Sequence, residues 1–530
     1  MRCPTFFNFA IDISKIVWYN KLTKLRFVKK DKEDFIMKFT RILALILCLV
    51  MTVTALVACK EGGKEEQTSG NEEVTQAPGS DDVVGGETTQ NLDERGYLKD
   101  DLPEKVFDDT LNLFTWSNQT MWEFDASEET GNPIYDQVYY RKQYLQDTYG
   151  ISIAVTKENG DWDHKDSFIK IVEASMNETG DNAYDLVGCY FAISGAMTVK
   201  GFFEDLSDKN YAPYVDLSKP WWPDDLLGSA RINGAVYCAT GDITPTFIRN
   251  LSVCHVNLSL MEKYNPGVNV YDLVRNKEWT YEKLTELVLG KVSLDENQLG
   301  LTVNSNVLYD DVFYSAGMTF VENNDDGSIS LRALDTDERF LDFYEFAYRL
   351  IAEHDDVKID VIDNSFVAGK SIVHFSSAAH IQSALQEVEY DYACLPYPMY
   401  VTETHTEQNE YHSVQGFWTT LYSLPSNCSD YEFASFALEA LASYAYRWFT
   451  PTWFDESFQT RFVQTPDNAE MLEIIKNGVI FDTARVFGTY INCFGAFRQA
   501  ANGNPDWISY FNSKKDGWNL AITEINNKLG

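Results

Sequence analysis

Basic charge is what this 530-residue chain has least of for its size: 43 Lys and Arg stand against 80 Asp and Glu, a formal net charge of -37. Ten of the basic residues fall within the first 58 positions, so the remainder is more acidic still. A field of that sign repels nucleic-acid phosphates and anionic lipid headgroups, and argues against a phosphate-backbone partner. Clustered cysteines are missing too. Cys189, Cys238, Cys254, Cys394, Cys428 and Cys493 are widely spaced with no C-x-x-C, which removes the usual zinc sites. They read as buried free thiols, with one or two disulfides left open. Neither G-x-S-x-G nor H-E-x-x-H occurs, so no hydrolase motif selects a nucleophile or a metal. Glu322 to Gly327 fails as a calcium loop because Ala333 stands where a bidentate Glu is needed. Gly369-Lys370-Ser371 fails as a phosphate loop because Asn364 replaces the first glycine. His405 and His412, near Glu403 and Glu407, read as a polar surface loop. No metal and no cofactor are expected.

Long apolar runs are absent except for Ile42 to Val57, shorter than the roughly 20 residues of a membrane-spanning helix. Lys38 and Arg41 flank it, and Leu56-Val57-Ala58-Cys59 ends it, which is the layout of a secretory signal peptide over 37–58. Leu-x-Ala-Cys resembles the lipobox of bacterial lipoproteins, which implies acylation of Cys59; two or more buried chains hold a protein on a membrane where one does not. Met37 then reads as the true initiator and 1–36 as an upstream extension. Residues 59–101, rich in Glu, Asp, Gly, Ser and Thr, have too little apolar surface to offset ordering entropy and read as a flexible acidic tether.

The body beyond residue 102 is too long for one core and divides into two domains. Thr110 to Trp116, Ile151 to Val155 and Tyr184 to Tyr190 have strand patterns. Helical spacing over Tyr135–Tyr149, between Pro133 and Gly150, and over Phe168–Met176 separates them. Strands alternating with helices predict a parallel sheet, with ligand beyond the carboxyl ends of the strands. Further on, Asn250–Asn257 reads as a strand running into a helix over Leu258–Tyr264, Thr280 as a helix cap, Met318–Leu331 as a hairpin turning at Asp325-Asp326-Gly327, and Asp335–Glu353 as a long helix. Aromatic residues make up 14% of the chain, with 12 Trp. In an acidic, exported, tethered protein such an excess suits a surface that stacks on sugar rings.

Taken in order, the lipobox, the acidic tether, Tyr184-Asp-Leu-Val-Gly188, Asp216-Leu-Ser218, Gly241-Asp242, Trp279-Thr-Tyr-Glu-Lys-Leu284, Phe366-x-x-Gly-Lys370, Leu441-Ala-Ser-Tyr-Ala-Tyr-Arg447, Thr450-Pro-Thr-Trp-Phe454 and Glu470-Met-Leu-Glu-Ile-Ile475 resemble the family 1 extracellular solute-binding proteins of ABC importers. The resemblance implies a type II periplasmic-binding-protein-like fold: two α/β lobes with a helical C-terminal region and a cleft between. Lobe one would be 102–251 plus 390–424, and lobe two 252–389 plus 425–530. It further implies a monomer on the outer face of a Gram-positive-type cell membrane, binding a mono- or oligosaccharide, serving ABC permease subunits and performing no catalysis. Positions matching the family's cleft are Trp116, Asn118, Trp122, Tyr190, Asp242, Ser376, Trp418, Trp453 and Tyr490. Phe487-Gly-Thr-Tyr490 departs from the aromatic-glycine pattern of the tail. The competing readings are a secreted carbohydrate-active enzyme, which needs two carboxylates about 5–9.5 Å apart across a glycosidic bond, and a carbohydrate-binding lipoprotein without transport.

Overall fold

The computed structural model describes residues 91–530 apart from 181–182, 224–227, 306, 360–363, 386–387, 417 and 454–465. The upstream extension, the signal peptide, Cys59 and the tether as far as residue 90 lie outside the described residues.

Three strands open the fold: β1 (Asp109–Trp116), β2 (Ile151–Glu158) and β3 (Leu186–Tyr190), paired in parallel in the order β2-β1-β3. The helix Pro133–Tyr149 links the first two. Asn132 caps its start by accepting from the N–H groups of Ile134 and Tyr135, and Gly150 ends it at φ 67°. That left-handed geometry suits glycine, and a Cβ there would come within 2.8 Å of Asp108 Oδ1.

The second sheet holds β4 (Ser252–Asn257), β5 (Leu299–Val303), β6 (Val357–Ile359), β7 (Ser371–Ser377) and β8 (Tyr392–Leu395), in the order β6-β5-β7-β4-β8. β5, β6 and β7 run parallel, and β4 is antiparallel to β7 and β8. Every residue of β4 and β5 is buried, the mark of a sheet covered on both faces. β9 (Thr420–Ser423) then returns to the first sheet, antiparallel to β3. The fold is thus two-lobed and mixed α/β, each lobe with its own sheet and a helical tail behind.

Sheet membership corrects the lobe boundaries. β8 lies inside 390–424, yet it pairs with β4, so the chain returns to the first sheet only after it. The helix Tyr431–Tyr444 falls in the stretch assigned to lobe two, yet Phe433, Phe436 and Leu441 pack with Leu111, Leu145 and Leu186 of the first sheet. Nearly every position of that helix is buried, and a helix apolar all round needs cover on all sides. In the tail, the helix Pro466–Asn477 lies against β8, whereas Thr483–Val486 and Gly488–Ile491 pack on Phe191–Ile193, just after β3; Met471, Ile475 and Trp507 share one core with Leu301 and Phe375 and with Phe114 and Val187.

Residues 91–101, read from composition as the end of a tether, are folded instead. Leu92 bridges to Leu98, and Leu98 and Leu102 pack on the first core. The Arg95 guanidinium lies 3.5 Å from the centre of the Trp448 ring, and Asp100 pairs with Arg447 at 2.8 Å with both side chains 9% exposed. Acidic residues here have specific basic partners, which composition alone does not reveal.

Pro220-Trp-Trp-Pro223 is equally structural. Trp221 and Trp222 are buried, and both donate through Nε1 to the carboxylate of Glu439, at 2.9 and 3.0 Å. The six body cysteines are free and buried.

Two crossovers connect the sheets, at Asn250–Leu251 and at Gln415–Thr419, and they lie against each other. Leu251 bridges to Gln415, the Gly416 N–H donates to the Asn250 carbonyl at 2.7 Å, and Asn250 Nδ2 donates to the carbonyls of Thr246 and Trp418 at 2.8 and 2.9 Å. A Cβ on Gly416 would stand 2.9 Å from the Asn250 carbonyl oxygen, so only glycine allows the approach.

Candidate ligand-binding cleft

The carboxyl ends of the parallel strands in both sheets face a cavity of about 870 Å³. The first sheet supplies Tyr190 from the end of β3 and Asp161, Trp162 and Asp163 from the loop after β2. The second supplies Asn304 and Ser305 after β5, Asp311, and Ser377 and His380 at the end of β7. The crossovers contribute Asn250, Gly416 and Trp418, and the tail contributes Phe494, Arg498, Tyr510 and Trp518.

The most exposed apolar side chains of this space are two indoles, Trp418 at 48% and Trp162 at 43%. Trp418 is backed by the buried Trp116, whose ring is stacked on it at 5.8 Å. Trp116 Nε1 donates to Thr420 Oγ1 at 2.8 Å, and Thr420 donates to the buried Glu123 carboxylate at 2.8 Å. Glu123 also accepts from Tyr422, Thr246 and Thr244, so β9 and the segment leading to the first crossover share one carboxylate. Burial pushes the Glu123 carboxyl up against the pull of those hydroxyls. Trp162 meets Phe494 of the tail edge-on at 6.1 Å.

Polar groups stand between the aromatic ones. Burial acts to raise the Asp161 carboxyl, but hydrogen bonds from His164 (2.6 Å) and Asn118 (3.0 Å) outweigh it and hold it below the usual range. Arg498 is held by Asp310 at 2.8 Å through Nε and lies close over Gly495, where a Cβ would meet its guanidinium at 2.6 Å. Burial nevertheless lifts Asp310 to about 6. Asp311, its neighbour, is pushed up to about 7 by burial. Ser376 and His380 are hydrogen-bonded, but Ser376 is fully buried, so the pair orients His380 and presents no nucleophile. Indole faces beside carboxylates and amides suit the C–H faces and hydroxyls of a sugar.

Of the nine predicted positions, Tyr190 and Trp418 line the cavity. Trp116 supports Trp418 from beneath, and Asn118 holds Asp161. Trp122 stacks on Tyr135 at 4.9 Å under the Arg249 guanidinium and does not line the space. Asp242 is buried and accepts from Thr450, and Trp453 belongs to the core. Ser376 acts through His380. Tyr490 packs at the edge of the core, its hydroxyl pushed up to about 12 by burial and a hydrogen bond with Glu524. Trp162, Asn304, Asp311 and Arg498 were missed. The first two sit just past strand ends and follow from the same rule that selects Tyr190; Asp311 and Arg498 carry no such local signal.

No protein-family model and no curated protein sequence matches the chain. Among solved structures, the fold is similar to that of a sugar-binding protein. The cyclic α-maltosyl-1,6-maltose binding protein of Arthrobacter globiformis superposes with a TM-score of 0.51 at 12% identity, over 79% of this chain and 99% of that one. An ABC substrate-binding protein of Listeria monocytogenes in complex with cycloalternan gives 0.49 at 12%, over 79% and 99%. A family 1 extracellular solute-binding protein of Bifidobacterium longum subsp. infantis gives 0.46 at 12%, over 79% and 98%.

Proposed function

We propose that this chain is the extracellular solute-binding component of an ABC importer and that it captures a neutral mono- or oligosaccharide. One observation carries the reading: half-exposed indoles from the first wall and from a crossover share a cavity between two sheets with carboxylates, amides and a guanidinium. Trp418, Trp162 and Tyr190 are the stacking surfaces, and Asp161, Asn250, Asn304 and Arg498 are hydrogen-bonding partners. The two crossovers act as a hinge, and a ligand that touches both walls stabilises the closed arrangement. That arrangement is what the permease subunits recognise. Acylated Cys59 holds the monomer at the outer face of the membrane. In lobe terms, 102–251, β9 and the helix Tyr431–Tyr444 form one half; β4 to β8 and the helix Pro466–Asn477 form the other. The sugar named for the Arthrobacter globiformis neighbour agrees with this substrate class.

A thermal-shift screen of the full chain against neutral mono- and oligosaccharides, amino acids and peptides tests the proposal. A sugar at 100 times its dissociation constant adds about 2.7 kcal/mol to stability, seen as a rise in melting temperature with no product formed. A shift with a peptide alone would overturn the substrate class, and turnover of the sugar would overturn the role.

A further inference from the structure

Asp311 lines the cleft although it is only 3% exposed. Its Oδ2 accepts the hydroxyl of Ser252, the first residue of β4 beyond the outbound crossover. Its Oδ1 meets no donor among the described residues. Arg485, also buried, donates to the carbonyl of Gln415 on the return crossover. Both crossovers are therefore fastened to one charged cluster. The cluster includes Asp310, paired with Arg498, and Asp482, which accepts from the N–H groups of Phe320, Val321 and Ala484 and faces Arg485. Tyr281 and Tyr397 face Asp311 from the remaining elements and are kept neutral by burial.

Three carboxyls thus share this region with two guanidiniums. Asp310 has Arg498 and Asp482 has three backbone donors, which leaves Asp311, with a single hydroxyl, the least compensated.

We propose that Asp311 reads a ligand hydroxyl on the second wall through its open oxygen and passes occupancy to both crossovers, so that binding is linked to its ionisation. The inference rests on the reading of the cleft as a site for a polyhydroxylated solute. Burial raises this carboxyl to about 7 against the pull of Arg485 and Ser252, so both forms are populated near neutrality. A ligand O–H donating to Oδ1 favours the carboxylate, since charge-assisted hydrogen bonds are the stronger ones. Binding therefore releases protons near pH 7, and affinity falls as the solution is acidified.

The test is titration calorimetry of the full chain, from pH 5.5 to 8.5 in two buffers of different ionisation heat, with the sugar giving the largest shift in the thermal screen. The dissociation constant rises about tenfold from pH 8 to pH 5.5, one pKa unit of linkage, with fractional proton release near pH 7. Asp311→Asn abolishes both. Ser252→Ala removes the donor that favours the carboxylate and moves the midpoint upward, a change that loss of packing alone would not produce. Without ligand, the melting temperature of Asp311→Asn gains on that of the native chain as pH rises from 5 to 8, because the native carboxyl is penalised once it ionises. A sugar that binds with pH-independent affinity, or parallel melting curves, overturns the inference and leaves the carbohydrate reading intact. No shift with any sugar overturns both.

Discussion

Trp418 is fixed from behind, which separates its contribution to binding from its contribution to stability. Its ring rests on Trp116, and Trp116 is tied through Thr420 to Glu123. Truncating the half-exposed Trp418 removes a stacking face without opening a core. Trp418→Ala is expected to weaken sugar binding about 10- to 100-fold, about 1.4–2.8 kcal/mol, while melting shifts little. Thr420→Val has the opposite profile, since it leaves the buried Trp116 indole and Glu123 without their shared hydroxyl; stability falls by about 1–3 kcal/mol, read by urea unfolding. Glu439 gives a pH signature. Burial lifts it to about 8 against the indole donors, so from its ordinary value up to about 8 the folded chain keeps a proton that the unfolded chain releases. Its contribution to stability is complete at low pH and is lost as pH rises through that window. Glu439→Gln should flatten this slope in melting curves recorded from pH 5 to 9, and an unchanged slope would contradict the assignment.

At the level of elements, the crossovers and the N-terminal strap carry the sharpest consequences. Gly416→Val forces a side chain against the Asn250 carbonyl and separates the two crossovers. A loss of about 1–3 kcal/mol is expected, together with altered rates of ligand association and dissociation by stopped-flow fluorescence. In the strap, Arg447→Ala leaves Asp100 nearly buried without its cation. A loss of about 3–5 kcal/mol is expected, largely recovered by adding Asp100→Asn. Elements of this kind differ in how far the sequence exposes them. Strand alternation, Pro133, Gly150 and Thr280 mark boundaries because they act through the backbone within a few residues. Thr280 indeed accepts from the Lys283 N–H, and the hairpin turns at Asp325 to Gly327 as its residues dictate. The strap was illegible because its order comes from Arg447 and Trp448, more than 340 positions away. The cleft was half legible for the same reason: strand ends point to Tyr190 and Trp162, whereas Asp311 and Arg498 enter through long-range pairing.

For the whole molecule, the chain passes between its halves at 250–251, at 415–419 and again between Tyr444 and Pro466, and the proposed closure would bend the first two. Small-angle scattering is expected to show a smaller radius of gyration once the sugar is bound, and an unchanged profile would mean that the cleft fills without closing. The lobe boundaries show what order along the chain conceals. Which sheet β8 joins is decided by pairing with β4, and the place of the helix Tyr431–Tyr444 by the apolar surface available to cover it. The folded strap at Asn91–Leu102 sits wholly on the first half, so the polypeptide enters this body there. Were Cys59 acylated as proposed, tension arriving along the preceding segment would be borne by one side only, and the other would remain at liberty to swing.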